Sequence, residues 1–271
     1  MMPHCNLCGS AENHTLEAAS DGVKTLRCAQ CGLIRLSPFP ALPSESAHYN
    51  EEYYKPWQKE EAQRAALWRR RLKLLEQHKK PGTLLDVGCG DGAFLKTAKN
   101  SGWTVTGTEV SDWAATKLQT GLDIDVKIGD LPLADWPEKS FDAITMWHVL
   151  EHTRDPLANL QKILTLLKDD GVFIMAVPNA HNHIFRMFYP LARGKFLSYY
   201  TPGARELHLH HFTEETLRLA LEKAGFRVLR IGIDRSALGF GHKVLEWLAV
   251  MLYGTAGLNW SEALEAVAVK K

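Results

Sequence analysis

The sequence predicts an α/β fold, a doubly wound parallel sheet with helices on both faces, preceded by a small cysteine-organised module. Three observations carry this. From Thr83 onward, short apolar runs alternate with amphipathic segments of helical period, the pattern of strand–helix–strand units. The first apolar run enters a turn with three alternating glycines, Gly88, Gly90 and Gly92, at the carboxyl end of a strand, where open α/β sheets bind ligands. Four of the five cysteines fall in two Cys-x2-Cys pairs near the amino terminus.

The module spans residues 1–37. Cys5 and Cys8 are followed, nineteen residues on, by Cys28 and Cys31, with Gly9 and Gly32 just after the two pairs. Four thiolates bind zinc tetrahedrally, and each Cys-x2-Cys turn presents two sulfurs to one side of the ion. So short a segment cannot bury enough surface to fold alone, and zinc supplies the missing free energy. Two disulfides are the alternative, but the amino terminus carries no secretion signal. A closed four-sulfur shell makes the expected zinc-ribbon-like site structural. As a nucleic-acid reader the module is poorly equipped, since Lys24 and Arg27 are the only lysine or arginine between the pairs.

Residues 38–81 read as a Pro-, Ser- and Tyr-rich linker and a lid helix. Ala65, Trp68, Leu72 and Leu75 recur at three- and four-residue spacing, and the basic run Arg64, Arg69, Arg70, Arg71 and Lys73 reads as a solvated face. The main domain, 82–271, has expected strands at 84–87, 104–109, 126–129, 141–146, 172–177 and 228–233, and a last one in the tail from 263. Helices are expected at 93–101, 114–120, 156–167 and 214–224. Asp155 and Pro156 start the third, Thr213 with Glu214 and Glu215 starts the fourth, and Gly225 stops it.

The bulk numbers exclude several classes. With 32 basic and 31 acidic side chains the net charge is +1, which gives no footprint for a polyanionic partner. The apolar stretch from Trp247 to Trp260 is interrupted by Gly254 and Gly257 and falls short of the ~20 residues a bilayer span needs. It reads as a buried or docking helix followed by a loop: docking on a membrane surface or a partner is the alternative, and packing on the sheet is the expectation. Paired cysteines without a signal point to a reducing compartment, the cytoplasm.

The turn Asp86-Val-Gly88-Cys89-Gly90-Asp91-Gly92, with Ala93, also satisfies a dinucleotide fingerprint. Charge separates the two readings. A pyrophosphate there faces Asp86 and Asp91, and two like charges about 4 Å apart repel by ~4 kcal/mol at an effective dielectric of about 20. S-adenosylmethionine, with its ammonium and sulfonium, is favoured by the same acids. Glu109, 21 residues after Gly88, ends the next strand and suits a ribose diol; Asp130, before Leu131, suits the adenine amino group.

These motifs together resemble the class I S-adenosylmethionine-dependent methyltransferases over residues 83–271, and within them the small-molecule branch that includes the ubiquinone-pathway O-methyltransferases. The resemblance implies a Rossmann-like seven-stranded sheet with its last strand antiparallel. It also implies cofactor contacts from Asp86, Gly88, Gly90, Glu109, Asp130 and Leu131. The cysteine module followed by Tyr49, Tyr53 and Tyr54 resembles amino-terminal regions of methyltransferases of sugar, polysaccharide or lipid modification.

Seven of the twelve histidines follow the fourth and fifth strands: His148, His152, His181, His183, His208, His210 and His211. Those loops open at the cofactor end of the sheet, where a base near neutral pH serves a hydroxyl acceptor. His148, then His181 and His210, are the expected catalytic or positioning groups; His152 and His208 read as structural. His148-Val-Leu-Glu151-His152 also matches a zinc-peptidase pattern, for which the glycine turn leaves no fold. The related Glu-x-x-Glu-His stretch of the ubiquinone-pathway enzymes implies a divalent ion, but His148 here replaces the first Glu. The expected activity is methyl transfer to a small-molecule, sugar- or lipid-linked acceptor at oxygen. An RNA methyltransferase using the module as a reader, or a non-catalytic cofactor-binding protein, are the rivals.

Overall fold

A computed structural model describes residues 4–40, 48–59, 61–237 and 239–271. The module forms β1 (Asn13–Ala18), β2 (Lys24–Cys28) and β3 (Ile34–Ser37), an antiparallel meander. Two helices follow, α1 (Glu51–Lys59) and α2 (Glu61–His78). The domain then runs β4 (Thr83–Val87), α3 (Ala93–Lys99), β5 (Thr104–Glu109), α4 (Asp112–Leu122), β6 (Asp125–Ile128), β7 (Phe141–Trp147), α5 (Pro156–Leu166) and β8 (Leu167–Pro178). It closes with α6 (His183–Arg193), β9 (His210–His211), α7 (Glu214–Ala224), β10 (Phe226–Ile233), α8 (Phe240–Ala256) and β11 (Ala263–Lys270).

The main sheet has seven strands in the order β10-β11-β8-β7-β4-β5-β6. β11 runs antiparallel to both neighbours, and the other pairings are parallel. The chain starts in the middle at β4, works to one edge and then to the other. This reversal leaves a crevice at the carboxyl ends of β4 and β7.

Alternation along the strands sorts the core. Leu85, Val87, Ile144, Met146, Phe173 and Met175 face α5 and α7, meeting Leu160, Ile163, Leu217 and Leu221. Leu84, Ala143, Ile174 and Ala176 face the other way, onto Phe94, Leu72 and Leu75. Leu75 is wholly buried, so α2, expected as a lid, is a layer of the sheet. Burying one such side chain is worth ~1.5–3 kcal/mol.

The helix signals act as expected. Asp155 accepts from the Ala158 N–H at 2.9 Å, Thr213 and Thr216 form a reciprocal capping box, and Gly225 ends α7 at φ 106°. The Pro-, Ser- and Tyr-rich stretch expected as a linker or lid, Ser37 to Pro56, has residues 41–47 outside the described residues and runs into α1 from Glu51 onward, with Pro56 inside that helix. The module is no free appendage: β9 pairs with β3, and Cys5, Leu7, Cys28 and Leu33 share one apolar cluster with Leu160, Phe212 and Leu217. The Trp247–Trp260 segment is the second half of α8 followed by a loop from Gly257, as read from the sequence; Ala249 is buried, while Trp247 and Met251 are exposed. Among the described residues no helix is long and apolar enough to cross a membrane.

Candidate active site

A cavity of about 360 Å³ opens over the carboxyl ends of β4, β5 and β7. Its floor is the glycine turn. Gly88, Gly90 and Gly92 have φ of 66°, 55° and 72°, the left-handed region that suits glycine. At Gly88 a Cβ would also lie 2.5 Å from a Val149 methyl. Cys89 is buried and burial pushes its thiol well up, so it serves as a spacer against Gly107.

Glu109 is fixed from two sides: the Gly90 N–H donates to Oε2 and the Ser111 N–H to Oε1, both at 2.8 Å. Burial pushes its carboxyl up, opposed by these amides and by the Tyr54 hydroxyl. Asp86 sits beside Thr145 because β4 and β7 pair them in register, and the Thr145 hydroxyl donates to it at 2.7 Å. Desolvation raises Asp86 to about 7. Asp130 and Leu131 also line the cavity. The six expected cofactor residues are thus brought together around one space.

The charge argument needs refining. α2 delivers Arg64 and Arg71 into the cavity wall, where a solvated basic face was expected. Arg64 makes a two-pronged contact with Asp91, and Arg71 lies between the rings of Trp68 and Trp147 at 5.0 and 4.3 Å. Asp91 is therefore neutralised rather than poised to repel. What disfavours a diphosphate is more local: the Asp91 carboxylate takes the Ala93 N–H at the start of α3, the helix end where a phosphate would bind.

The opposite wall carries the histidines. His148, at φ 56°, lies with Nε2 3.3 Å from Asp234 and Nδ1 3.7 Å from Glu151. Desolvation works against its charge, but the two carboxylates outweigh it and lift the imidazole to about 9. Asp234 is fully buried and gripped by Arg71 at 2.6 Å and Arg70 at 2.9 Å. His148 is thus a held imidazolium at neutral pH, suited to positioning and unsuited to accepting a proton.

His181 and His210 do not line the cavity. His181 stacks on His183 at the entry to α6, ring centroids 5.3 Å apart. His210 is wholly buried in β9, edge-on to Phe39 at 5.5 Å; the pairing with Arg35 of β3 turns it into the seam between module and domain. Sequence spacing places these residues in the right loops and is blind to that seam.

His152 and His208, read as structural, line the cavity instead. The His152 Nδ1–H donates to the Leu207 carbonyl at 2.7 Å, which leaves Nε2 as an acceptor lone pair. Burial lowers His208 below its ordinary value, keeping it neutral. Glu151 is buried at 1% exposure, with both carboxylate oxygens lacking a hydrogen-bond donor. Ligand atoms of Glu151, His152 and His208 lie within 4.8 Å of one another, a donor set that suits a divalent cation. Nothing in the local sequence signals that a loop 56 residues after His152 returns His208 to it.

The four module cysteines are free thiols whose sulfurs lie within 4.8 Å of one another. Cys5–Cys31 and Cys8–Cys28 are 3.6 and 3.5 Å apart, close to the ~3.8 Å edge of a tetrahedron with Zn–S of about 2.3 Å.

A family model for a methyltransferase domain matches residues 59–231. A ubiquinone biosynthesis O-methyltransferase of Actinobacillus pleuropneumoniae is 35% identical over 108 residues, 35% of this chain and 45% of that relative. One of Paramagnetospirillum magneticum is 35% identical over 102 residues, 36% and 41% of the two chains. The chain thus matches less than half the length of these relatives. The Burkholderia thailandensis 1,6-didemethyltoxoflavin-N1-methyltransferase, solved with 1,6-didemethyltoxoflavin and S-adenosylhomocysteine, shares the fold at TM-score 0.54 and 18% identity, covering 96% of this chain and 99% of that one. A TehB-like methyltransferase of Corynebacterium glutamicum does so at 0.53 and 18%, covering 83% and 99%. Strand order, glycine turn and family match agree: the chain belongs to the methyltransferase-domain family, the class I S-adenosylmethionine-dependent methyltransferases.

Proposed function

We propose that this chain transfers a methyl group from S-adenosylmethionine to a hydroxyl of a small-molecule, sugar- or lipid-linked acceptor. The observation that carries the proposal is a single cavity with two unlike walls. One wall is the glycine turn with Glu109 and Asp130; the other is Glu151, His152 and His208. The bound cofactor supplies an electrophilic methyl on a sulfonium, and the protein's part is to hold an acceptor in line and to exclude water. Glu109, already oriented by two amides, accepts from the ribose diol. Asp86 and Asp130 favour the cationic nucleoside.

On the acceptor side, His152 Nε2 and neutral His208 are the groups able to take a hydroxyl proton, and His148 with Asp234 positions Glu151 beside them. If Glu151, His152 and His208 instead held a divalent cation, the two imidazoles would act as ligands and not as bases, and the ion would lower the pKa of a coordinated hydroxyl. The relatives named for ubiquinone biosynthesis support an oxygen acceptor. We also assign Cys5, Cys8, Cys28 and Cys31 to a structural zinc, on their sulfur geometry. A labelled-methyl screen across phenols, nucleotide sugars and prenyl-linked lipids tests the reading. Transfer to an alkali-stable oxygen ether supports it; labelling confined to RNA, or no labelling despite cofactor binding, overturns it.

A further inference from the structure

The run from Gly194 to Leu209, between α6 and β9, forms neither helix nor strand, and residues 201–206 are all exposed. Such a segment buries too little surface to hold one path by itself. Yet its last residues, Glu206, Leu207 and His208, line the cavity. Where His208 stands is set by whatever tethers this strap.

Much of the tethering comes from the cysteine module. Glu17 on β1 accepts the Ser198 hydroxyl at 2.6 Å and the Tyr199 N–H at 3.0 Å. Asp21, in the turn before β2, accepts the Tyr200 hydroxyl at 2.6 Å. Val23 and Leu36 of the module enclose Leu207 and Leu209, with Tyr200 against them. Further anchors come from α6, where Arg186 donates to the Leu197 carbonyl, and from α1, where the Tyr53 carbonyl accepts from Arg205.

At the end of the strap the contacts form a relay. The Leu36 N–H of β3 donates to the Leu209 carbonyl at 2.9 Å, and the Leu209 N–H donates to the Glu151 carbonyl at 2.8 Å. One residue thus reaches from the module to the wall. His152 donates through Nδ1 to the Leu207 carbonyl at 2.7 Å, which orients its other nitrogen. Asn6, between Cys5 and Cys8, donates to the Arg154 carbonyl at 3.2 Å. The cofactor half is built otherwise: Gly88, Glu109 and Asp130 stand at strand ends of the seven-stranded sheet, whereas the module's strands form a separate sheet with β9.

We propose that the cysteine module is the positioning element of the acceptor wall: Glu17, Asp21 and the β3 backbone fix the strap, and the strap sets His208 against Glu151 and His152. Glu17, Asp21 and Tyr200 are positioning residues, outside the cavity lining. That the placed groups meet an acceptor rests on the function proposed above; the dependence of their placement on the module does not.

The test compares the full chain with Glu17→Ala combined with Tyr200→Phe, which removes the hydrogen bonds to Glu17 and Asp21 and no group lining the cavity. Hydrogen–deuterium exchange should quicken at least about tenfold at residues 207–211. The glycine turn, 86–92, and calorimetric binding of S-adenosylhomocysteine should stay as in the parent. With the acceptor that the labelled-methyl screen returns, kcat should fall at least about tenfold at unchanged KM for S-adenosylmethionine, since a misplacement of about 1 Å costs ~100-fold. Glu17→Gln, which keeps an oxygen for both donors, should recover most of the loss when it replaces Glu17→Ala. Tyr200→Phe alone, losing one hydroxyl, should show the same pattern more weakly. Unchanged exchange at 207–211 overturns the proposal, as does parental turnover despite faster exchange. Loss of the S-adenosylhomocysteine heat in the variants would overturn it too, by making the module a general support of the fold. No transfer to any acceptor by the parent, with the local gain in exchange intact, would refute the acceptor reading and leave the placement by the module standing.

Discussion

Glu109→Gln exchanges a carboxylate for an amide of nearly the same volume, at a site anchored by two backbone N–H groups. In the native cavity each carboxylate oxygen accepts a backbone N–H at 2.8 Å, from Gly90 and from Ser111. Glutamine can satisfy only one of them; its amide NH2 must face the other as donor against donor. The side chain is 4% exposed, so water cannot repair the mismatch. A lost charge-assisted hydrogen bond of this kind costs ~1.5–3 kcal/mol, and the ribose diol loses its charged acceptor at the same time. Together these should weaken S-adenosylhomocysteine binding about 10- to 100-fold, read by calorimetry. Melting should fall by a few degrees, because the Gly90 turn loses its anchor. A dissociation constant within about threefold of the native value would refute the assignment of Glu109 and, with it, the orientation of the cofactor in the cavity.

Further outcomes follow from the same geometry. Because Asp86 is raised to about 7 by burial, it ionises across neutrality. Affinity for cationic S-adenosylmethionine should therefore rise from pH 6 to 8 more than affinity for uncharged-sulfur S-adenosylhomocysteine, and Asp86→Asn should remove that difference. His148 is lifted from 6.5 to about 9, so its contribution to stability is complete below about pH 6.5 and is lost as pH rises through about 9; the stability gap to His148→Gln should close over that window in denaturant titrations. His208→Ala should reduce turnover at least about tenfold with cofactor affinity unchanged; equal turnover would remove His208 from the acceptor wall. Cys28→Ser should lose one zinc per chain by elemental analysis and lower melting by roughly 10 °C.

The turn, caps and strand–helix order were legible in the sequence because they are local. Three glycines in alternation, an acid at the end of the next strand, and Asp155 or Thr213 ahead of an apolar period each state their role within a few residues. The same holds for the four cysteines, whose spacing alone implies the sulfur cluster that the fold assembles.

Tertiary structure decided what depended on distant partners. His148 is a plausible base by position alone; Asp234, brought from the end of β10 and gripped by Arg70 and Arg71, makes it a cation. Arg71 reads as solvated from its basic neighbours, yet α2 turns it inward between two indoles. His208 and His210 are two residues apart, and only the pairing of β9 with β3 sends His210 into the module seam while His208 meets Glu151 and His152. Sequence fixes which groups exist and their local conformation. A group's charge and its access to ligand are set by the field and packing of residues far along the chain, and these exist only once it has folded.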